Sequence, residues 1–407
     1  MGALRFLHTG DWQLANRGTI AGKVVLRQGI NQLLVDKIVA VNGICEYAET
    51  QGVDLIAIAG DLFDHSNPDD VSKQAAVEAI ERLSDVAPVF IVKGNHDGGK
   101  GSEVATALSS FGKKMRNYGV FVSEYPEVLP VLIKNHKVNV FSLPFPRKSI
   151  IAQQIKGMSP DELSTAISRN MEHILSGLGA QREADAINVL VGHFSVTGGK
   201  YSKDQFVPPF DIAVREEYLE GFDVVMLGHL HEPQKYYCGT IARGGFGEED
   251  MPVGFKVHTI EEELASQEEG GPALVRRQAR EEYIELPARQ FITIDVRKLL
   301  ETGGEELKGL GDNVVVRVKG SVKRHEYDEV SRKMKGLGIP FLKNAVEVEY
   351  DVVRLNGEEN VAEELSVPQA VRLWGKGKDG MDKVIDLVVK EAESIENKWK
   401  AGREVSL

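Results

Sequence analysis

Five short apolar runs in this chain each lead to a glycine beside a residue type that can bind a metal ion. Buried parallel strands read as short runs rich in Val, Ile and Leu, and open α/β sheets bind ligands beyond the carboxyl ends of their strands. A glycine there lets the backbone turn sharply and approach an ion closely. One such ending is weak evidence, because Gly-Asp and Gly-His pairs are common at strand ends, but five in this chemical order are typical of a two-metal hydrolase. The runs and their endings are Leu4–His8 before Gly10-Asp11, Val53–Ala59 before Gly60-Asp61, Val89–Val92 before Gly94-Asn95-His96-Asp97, Val189–Val191 before Gly192-His193, and Val224–Leu227 before Gly228-His229-Leu230-His231.

Taken in chain order, the endings form a series of motifs. They read Asp-x-Gln at residues 11–13, Gly-Asp-Leu-Phe-Asp at 60–64, Gly-Asn-His-Asp at 94–97, Gly-His at 192–193 and Gly-His-x-His at 228–231. This order resembles the calcineurin-like metallophosphoesterase superfamily. A later stretch, Gly-Phe-Gly-Glu-Glu-Asp at residues 245–250 followed by Gly-Phe at 254–255, is similar to the SbcD family, nuclease subunits of a double-strand-break-repair complex. Beyond residue 260 the resemblance rests on the order of elements more than on motifs.

The resemblance implies two divalent metal ions that share the Asp61 carboxylate. Two ions about 3.5–4 Å apart activate water and hold the phosphoryl oxygens during an in-line displacement. Carboxylate and amide oxygens mixed with imidazoles suit Mn²⁺ or Fe²⁺, with Zn²⁺ also compatible, and we expect Mn²⁺. The implied ligands are Asp11, Gln13, Asp61 and His231 for the first ion, and Asp61, Asn95, His193 and His229 for the second.

The resemblance also implies roles for three residues beside the ligands. His96 matches the family residue that contacts the phosphate and protonates the departing 3′ oxygen, a general-acid role suited to imidazole. Asp64 and Asp97 are expected in the surrounding layer, where they orient histidine or backbone donors.

Gln13 departs from the family, which usually has histidine at this position. A glutamine carbonyl oxygen can still coordinate a metal ion, directly or through water, but it binds borderline ions less well than imidazole does. We therefore expect a weakened first metal position with activity retained. The alternative is that Gln13 does not ligate and that only one ion binds tightly.

The composition agrees with an intracellular enzyme. No apolar run approaches the length that spans a bilayer, no signal peptide is visible, and Cys45 and Cys238 show no paired or metal-type spacing. We expect the cytoplasm of a prokaryotic or phage-infected cell, with both cysteines buried and reduced. The net charge of −12 opposes non-specific DNA binding, yet bound cations reverse the field locally, so charge alone neither supports nor excludes DNA.

The remaining patterns and the resemblance predict an α/β fold, a metallophosphoesterase sandwich of two stacked sheets flanked by helices, plus a small α/β capping domain and a C-terminal helix. Helices are predicted over residues 24–50 and Val71–Leu83, and the acidic, turn-rich stretch at 261–282 is interpreted as a boundary. The predicted domains are a nuclease domain over residues 1–260, a capping domain over 283–353 and a helical partner-binding segment over 366–400.

The capping domain is predicted from strands at Phe291–Val296, Val314–Val318 and Val346–Val353 and a helix at 324–336. By resemblance it lies over the active site and shapes DNA access; the alternative is an accessory domain without DNA contact. From Met381 to Trp399 an apolar stripe follows a predicted helix, which must bury this face. The resemblance implies that such helices dock on the coiled coil of an SbcC-type ATPase, and packing on its own capping domain explains the stripe equally well.

Together these features predict a two-metal-dependent DNA phosphodiesterase, and the resemblance implies a 3′–5′ exonuclease with some endonuclease activity. By resemblance it processes duplex DNA ends in recombination and repair with an SbcC-type ATPase, as a homodimer. One alternative is a DNA-end tether or scaffold whose catalysis is weakened by Gln13. Another is a phosphoesterase for phosphoproteins or cyclic nucleotides, against which the 245–250 motif, the capping-like unit and the tail helix argue.

Overall fold

The computed structural model describes residues 3–98, 106–111, 115–146, 157–203, 205, 212–266, 274–307, 309–349 and 385–391. The chain forms two compact units, Met1–Val348 and Glu349–Leu407. The helices of the first unit are α1 Gln32–Gln51, α2 Asp70–Val86, α3 Pro160–Gly179, α4 Val296–Thr302 and α5 Arg324–Gly336. The strands are β1 Leu4–Thr9, β2 Leu26–Arg27, β3 Ile30–Asn31, β4 Leu55–Ile58, β5 Val89–Val92, β6 Val120–Ser123, β7 Glu127–Ile133, β8 His136–Leu143, β9 Ile187–His193, β10 Ser195–Val196, β11 Ala213–Val214, β12 Val224–Gly228, β13 Gly254–Ser266, β14 Leu274–Glu285, β15 Gln290–Asp295, β16 Val314–Lys323 and β17 Leu342–Glu349.

The larger sheet has six strands in the order β14-β13-β1-β4-β5-β6. Strands β1, β4, β5 and β6 run parallel to one another. Strand β13 pairs antiparallel with β1, and β14 pairs antiparallel with β13. Every residue of β4 and β5 is buried, which explains their continuous apolar sequences. Helices α1 and α2 cover one face, where their apolar side chains join Leu7, Ile56 and Ile91 in one core cluster.

A second sheet of four strands, in the order β12-β9-β8-β7, stacks on the other face of the first. Strands β12, β9 and β8 run parallel, and β7 is antiparallel to β8. Phe6, Ala57 and Phe90 from the larger sheet pack with Val140 and Met226 from the smaller one. Helix α3 covers the outer face of the smaller sheet. The predicted sandwich of two stacked sheets flanked by helices is confirmed.

The helix predicted over residues 24–50 begins later, at Gln32. The residues before it form the hairpin of β2 and β3, with left-handed backbone at Gln28 (φ 53°) and Gly29 (φ 85°). Positive φ at both central residues is the geometry of a tight two-residue hairpin turn. The Asn31 side chain then caps α1 by accepting a hydrogen bond from Leu33 N. The second predicted helix is confirmed and extends by one residue at its start and three at its end, over Asp70–Val86.

The acidic stretch at residues 261–282 is not a boundary. Strands β13 and β14 pair antiparallel through most of it, with Glu262 opposite Arg277. Arg277 Nε donates to Glu262 Oε1 at 2.8 Å, so residues that suggested an exposed linker form cross-strand charge pairs instead. The larger sheet therefore continues past residue 260 to Glu285.

Strands β15, β16 and β17 form a separate three-stranded sheet with β16 in the middle. Helix α5 covers residues 324–336 as predicted, α4 was not predicted, and both pack on this sheet around Val316, Val318 and Val330. The predicted third strand is observed over Leu342–Glu349, and residues 350–353 lie outside the described residues. The Arg289 guanidinium joins this region to α1 through Asp36, with Nε 2.7 Å from the carboxylate.

Of the predicted C-terminal segment 366–400, residues 385–391 are described, and they are helical. Ile385 and Val389 are buried, whereas Leu387 and Val388 are 71% and 45% exposed. The rest of the predicted apolar stripe lies outside the described residues. None of the helices among the described residues is long and apolar enough to cross a membrane. Both cysteines are buried and free, as predicted.

Candidate metal centre

The five strand ends predicted from the sequence lie together at one edge of the sandwich. Asp11 follows β1, Asp61 follows β4, Asn95 follows β5, His193 ends β9 and His229 follows β12. Side chains that leave the carboxyl ends of parallel strands meet at the edge where α/β sheets bind ligands. Asp11, Asp61 and His193 are buried, and their ligand-type atoms all lie within 4.8 Å of one another. These three side chains could hold a metal ion.

The side chains expected around the second ion contact one another directly. His193 Nε2 lies 2.8 Å from Asn95 Oδ1 and 3.5 Å from Asp61 Oδ2, and His229 Nδ1 lies 3.0 Å from Asn95 Oδ1. His193 Nδ1 donates to the backbone carbonyl of Ala59 at 2.8 Å, which leaves Nε2 as the nitrogen that faces the centre. Because this acceptor belongs to the main chain next to β4, the ring orientation is fixed by the sheet itself.

Two of the side chains expected around the first ion, Gln13 and His231, also contact each other. Asp11 Oδ2 accepts a hydrogen bond from the backbone N–H of His229 at 3.0 Å, and Gln13 Nε2 lies 2.9 Å from His231 Nε2. The Gln13 amide nitrogen therefore points toward His231. A half-turn of the amide group exchanges nitrogen and oxygen, which is the orientation that a metal ligand requires.

Left-handed backbone accompanies the ligand-type residues. The φ angle is 49° at Asp11, 46° at Gln13, 51° at Asp61 and 101° at His229. Each such conformation costs a residue other than glycine about 1–3 kcal/mol and persists only where the surroundings enforce it. These sharp turns direct the side chains away from the strand direction and toward a common centre.

Two glycines let the main chain approach these side chains closely. A Cβ atom added to Gly94 would lie 2.1 Å from Asp61 Oδ1, and one added to Gly60 would lie 2.2 Å from His193 Nδ1. Gly60 also has a left-handed φ of 87°. Both positions therefore require glycine for reasons of space, which explains why glycine precedes the ligand types in the sequence.

The charges at the centre suit a bound cation. Burial raises the pKa of the Asp11 carboxyl, and burial together with the charge of Asp61 raises the pKa of Asp97 to about 6. Burial disfavours charge on Asp61, but His193 and His96 outweigh it and hold the pKa of Asp61 below its usual range. Burial likewise disfavours charge on His193, yet the Asp61 carboxylate raises the pKa of His193 to about 9. Without a bound ion, a protonated His193 would therefore compensate part of the buried negative charge, and a bound cation would replace that proton.

His96 lies next to the carboxylate that the two ions would share. Its backbone N–H donates to Asp61 Oδ1 at 2.8 Å, and its ring Nδ1 donates to the backbone carbonyl of Asp64 at 2.8 Å. The remaining ring nitrogen, Nε2, lies 3.8 Å from Asp61 Oδ2, and the side chain is 39% exposed. Unlike the buried ligand candidates, this imidazole is open to a substrate.

Asp64 and Asp97 support the site in different ways. Asp97 accepts hydrogen bonds from two backbone groups, Gly94 N at 2.9 Å and Phe63 N at 3.1 Å. The Asp64 carboxylate instead pairs with Arg17 at 2.5 Å. Asp64 contacts a histidine through its backbone carbonyl, which accepts from His96 Nδ1, and not through its carboxylate.

Three residues that the sequence analysis did not assign complete the surroundings of the first position. Glu248 Oε1 accepts from His231 Nδ1 at 3.2 Å, Gln205 Oε1 accepts from His231 N at 3.1 Å, and Lys37 Nζ donates to Gln13 O at 2.6 Å. Glu248 belongs to the 245–250 motif, which could have drawn attention to it. Gln205 and Lys37 carry no local signal, because their partners are 26 and 24 residues away in sequence.

The donor set fits divalent metal ions. Oxygen atoms from carboxylates and amides combined with imidazole nitrogens are the ligands that first-row divalent ions bind. Asp11 and Asp61 are both buried, and adjacent buried carboxylates are unfavourable without a compensating cation. A divalent ion at the Asp11, Asp61 and His193 group would supply that compensation.

Among proteins of known function, the SbcD subunit of the nuclease SbcCD from Staphylococcus epidermidis is 29% identical over 270 residues. The match covers 63% of this chain and spans 66% of that protein's length. Two solved structures show weaker likeness. Phosphopantetheinyl hydrolase from Mycobacterium tuberculosis has a TM-score of 0.31 and 15% identity over 56% of this chain and 83% of its own. A purple acid phosphatase from yellow lupin (Lupinus luteus) has a TM-score of 0.34 and 16% identity over 63% of this chain and 49% of its own.

A family model also matches this chain. The model described as calcineurin-like phosphoesterase matches residues 4–233 of the 407, which is more than half of the chain. This range includes the two stacked sheets up to β12 and every candidate ligand. The chain therefore belongs to the calcineurin-like phosphoesterase family of metal-dependent hydrolases.

Proposed function

We propose that this chain is a two-metal DNA phosphodiesterase, a 3′–5′ exonuclease for duplex ends with some endonuclease activity. The observation that carries the proposal is the convergence of Asp11, Asp61 and His193 with Asn95 and His229 at one edge of the sandwich. Further support comes from the similarity to the SbcD subunit of the nuclease SbcCD. We propose Mn²⁺ as the working ion because the donors mix hard oxygens with imidazoles.

The proposed ligands divide into two sets that share Asp61. When bound, the two ions supply Lewis acidity at the phosphate and water of lowered pKa, which makes a nucleophile available near neutral pH. The first set is Asp11, Gln13, Asp61 and His231, and the second is Asp61, Asn95, His193 and His229.

His96 is proposed to contact the scissile phosphate and to give a proton to the departing 3′ oxygen. Its Nδ1 donates to the Asp64 carbonyl at 2.8 Å, so Nε2 is the nitrogen left to face the substrate. The proton transfer requires the doubly protonated ring, which becomes neutral when Nε2 gives its proton. The bond from His96 N to Asp61 Oδ1 holds the imidazole at a set distance from the shared carboxylate. Asp97 holds the same loop through Gly94 and thereby positions His96.

The proposed domain roles follow from the same similarity. The region from 283 to 353, built on β15, β16 and β17, would cap the active site, and the segment 366–400 would bind an SbcC-type coiled-coil ATPase. Leu387 and Val388 offer exposed apolar side chains for such a contact. A groove of about 490 Å³ between α1 and α2, lined by Ile38, Val71 and Ala75, is compatible with a homodimer contact. A nuclease of this kind would work on DNA in the cytoplasm.

The test is digestion of duplex DNA labelled at its 3′ or 5′ end, with Mn²⁺ varied over a wide range and Asp61→Ala purified in parallel. We expect wild-type protein to remove 3′ nucleotides and the variant to be inactive, because Asp61 belongs to both ligand sets. Activity that persists in the variant would point to a contaminating nuclease and overturn the proposal.

Two other outcomes correspond to different functions. DNA binding without Mn²⁺-dependent cleavage would favour a DNA-end tether whose catalysis is weakened at Gln13. Hydrolysis of small phosphate esters with no action on DNA would favour a phosphoesterase for other substrates. Each outcome contradicts the nuclease proposal.

A further inference from the structure

Two adjacent glutamates after the last histidine motif point in different directions. Glu248 is buried and contacts His231, whereas the Glu249 carboxylate accepts hydrogen bonds from Thr293 N and Thr293 Oγ1, both at 2.5 Å. Thr293 lies in β15 of the three-stranded sheet. One glutamate therefore reaches the metal centre, and its neighbour anchors the same turn to another part of the molecule.

The carboxylate of Glu248 is held on both oxygens. Oε1 accepts from His231 Nδ1 at 3.2 Å, and Oε2 accepts from the backbone N–H of Gly244 at 2.6 Å. Lys37 interacts electrostatically with the same carboxylate. A charged acceptor with these partners binds the Nδ1–H tautomer of His231 and leaves Nε2 with a free lone pair.

The Nε2 lone pair of His231 faces Gln13. Gln13 Nε2 lies 2.9 Å from it, and Lys37 Nζ donates to the Gln13 backbone carbonyl at 2.6 Å. Gln13, His231, Glu248 and Lys37 therefore form a ring of contacts around the first metal position. The Gln13 amide is neutral and is a weaker metal ligand than an imidazole. His231 therefore has to supply more of the binding energy of the first ion.

We propose that Glu248 is a positioning residue for the first metal position, where it fixes the tautomer and the ring orientation of His231. The inference rests on the proposed two-metal function. Carboxylates that hold a ligating histidine typically change metal affinity by about 10–100-fold when they are removed. Since Gln13 contributes little to the affinity for the first ion, removal of the Glu248 carboxylate should weaken the binding of that ion and leave the other unchanged.

The experiment measures Mn²⁺ binding to the full chain by the electron paramagnetic resonance signal of free Mn²⁺, for wild type, Glu248→Ala, Glu248→Gln and Glu249→Gln. Glu249→Gln is the matched control, because it removes the same charge one residue away on a side chain that contacts Thr293. We expect Glu248→Ala to weaken one of two ions at least tenfold and to leave the other unchanged. Glu248→Gln, which keeps an acceptor, should lie between Glu248→Ala and wild type, and Glu249→Gln should bind like wild type.

A Co²⁺ absorption spectrum of each variant gives a readout that loss of general stability does not mimic. Glu248→Ala should change the bands of one bound Co²⁺ ion, while thermal melting shows a folded protein. Wild-type affinities for both ions in Glu248→Ala would overturn the positioning role, and so would equal losses in the Glu248→Gln and Glu249→Gln variants. Absence of two Mn²⁺ sites in the wild-type chain would instead overturn the two-metal proposal itself.

Discussion

The two halves of the candidate metal centre obtain their rigidity from different sources. In the second half, His193 ends β9 and is held by the Ala59 carbonyl next to β4, so the main chain of the two stacked sheets fixes the donor directly. In the first half, His231 lies three residues beyond β12 and is held by side chains of Glu248 and Gln205. The first half also contains Gln13, a neutral amide. The comparison indicates that the main chain of the sheets fixes the second position, whereas side chains from outside the strands fix the first.

The largest expected effect is that of His193→Ala, which removes the most rigid donor of the second half. The change leaves Asp61 without its closest charge partner and Asn95 without its 2.8 Å contact. We expect cleavage to fall by roughly 10³-fold, because preorganised groups at a reacting centre have effects of this size. Timed digestion of end-labelled DNA checks the prediction. A loss smaller than that of His231→Ala would reverse the proposed order of the two halves.

Gly94→Ala should disturb both halves of the centre, because it displaces the carboxylate of Asp61, which the two halves share. The new Cβ would lie 2.1 Å from Asp61 Oδ1, so the carboxylate or the loop has to move. A displacement of about 1 Å at a catalytic centre costs about 10²-fold in rate. Gly98→Ala is the matched control, since the nearest atom to its added Cβ is 4.0 Å away. Equal cleavage rates for the two variants would show that the close approach at Gly94 is unimportant.

Gln13→His should make the two halves more alike. Imidazole is a better ligand than a neutral amide oxygen for borderline ions, so the first ion should bind on the order of tenfold more tightly, equivalent to about 1.4 kcal/mol. Isothermal titration with Mn²⁺ measures both affinity and stoichiometry, and the second ion serves as the internal control. If neither quantity changes, Gln13 is not a ligand.

The smallest expected effect is that of Gln205→Ala, which should weaken metal binding at both positions. Gln205 donates to His229 O at 2.5 Å and accepts from His231 N at 3.1 Å. Loss of such hydrogen bonds costs about 1 kcal/mol, or about fivefold in affinity. Titration with Mn²⁺ should show a similar weakening for both ions. Weakening confined to the first ion would mean that Gln205 supports His231 alone.

The part of the site that local sequence can predict is the part built by strand ends. A short apolar run, a glycine and a ligand type are neighbours in sequence, and parallel topology then brings Asp11, Asp61 and His193 to one edge. Gln205 and Lys37 were missed because no neighbouring residue indicates their contacts, which lie 26 and 24 residues away in sequence. Glu248 was missed although it lies in the 245–250 motif, because that motif does not show that its side chain reaches His231. Their positions depend on the packing of a loop, a turn and α1 around the finished sandwich.

The fold shows the same limit. The layers of the sandwich follow from alternating strands and helices, and α5 was predicted at its observed residues. The prediction of helix before residue 32 was wrong because Gln28 and Gly29 adopt a hairpin turn, which the spacing of apolar residues does not reveal. The prediction of a boundary at 261–282 was wrong because its charged residues form pairs across two strands, as Arg277 and Glu262 do.

The most direct test of the two-metal centre is anomalous X-ray diffraction from crystals of this chain grown with Mn²⁺. We predict two anomalous peaks about 3.5–4 Å apart, both within coordination distance of Asp61. One should contact Gln13 and His231, and the other Asn95, His193 and His229. A single peak at the second position, with Gln13 still turned toward His231, would contradict a two-metal site in this chain.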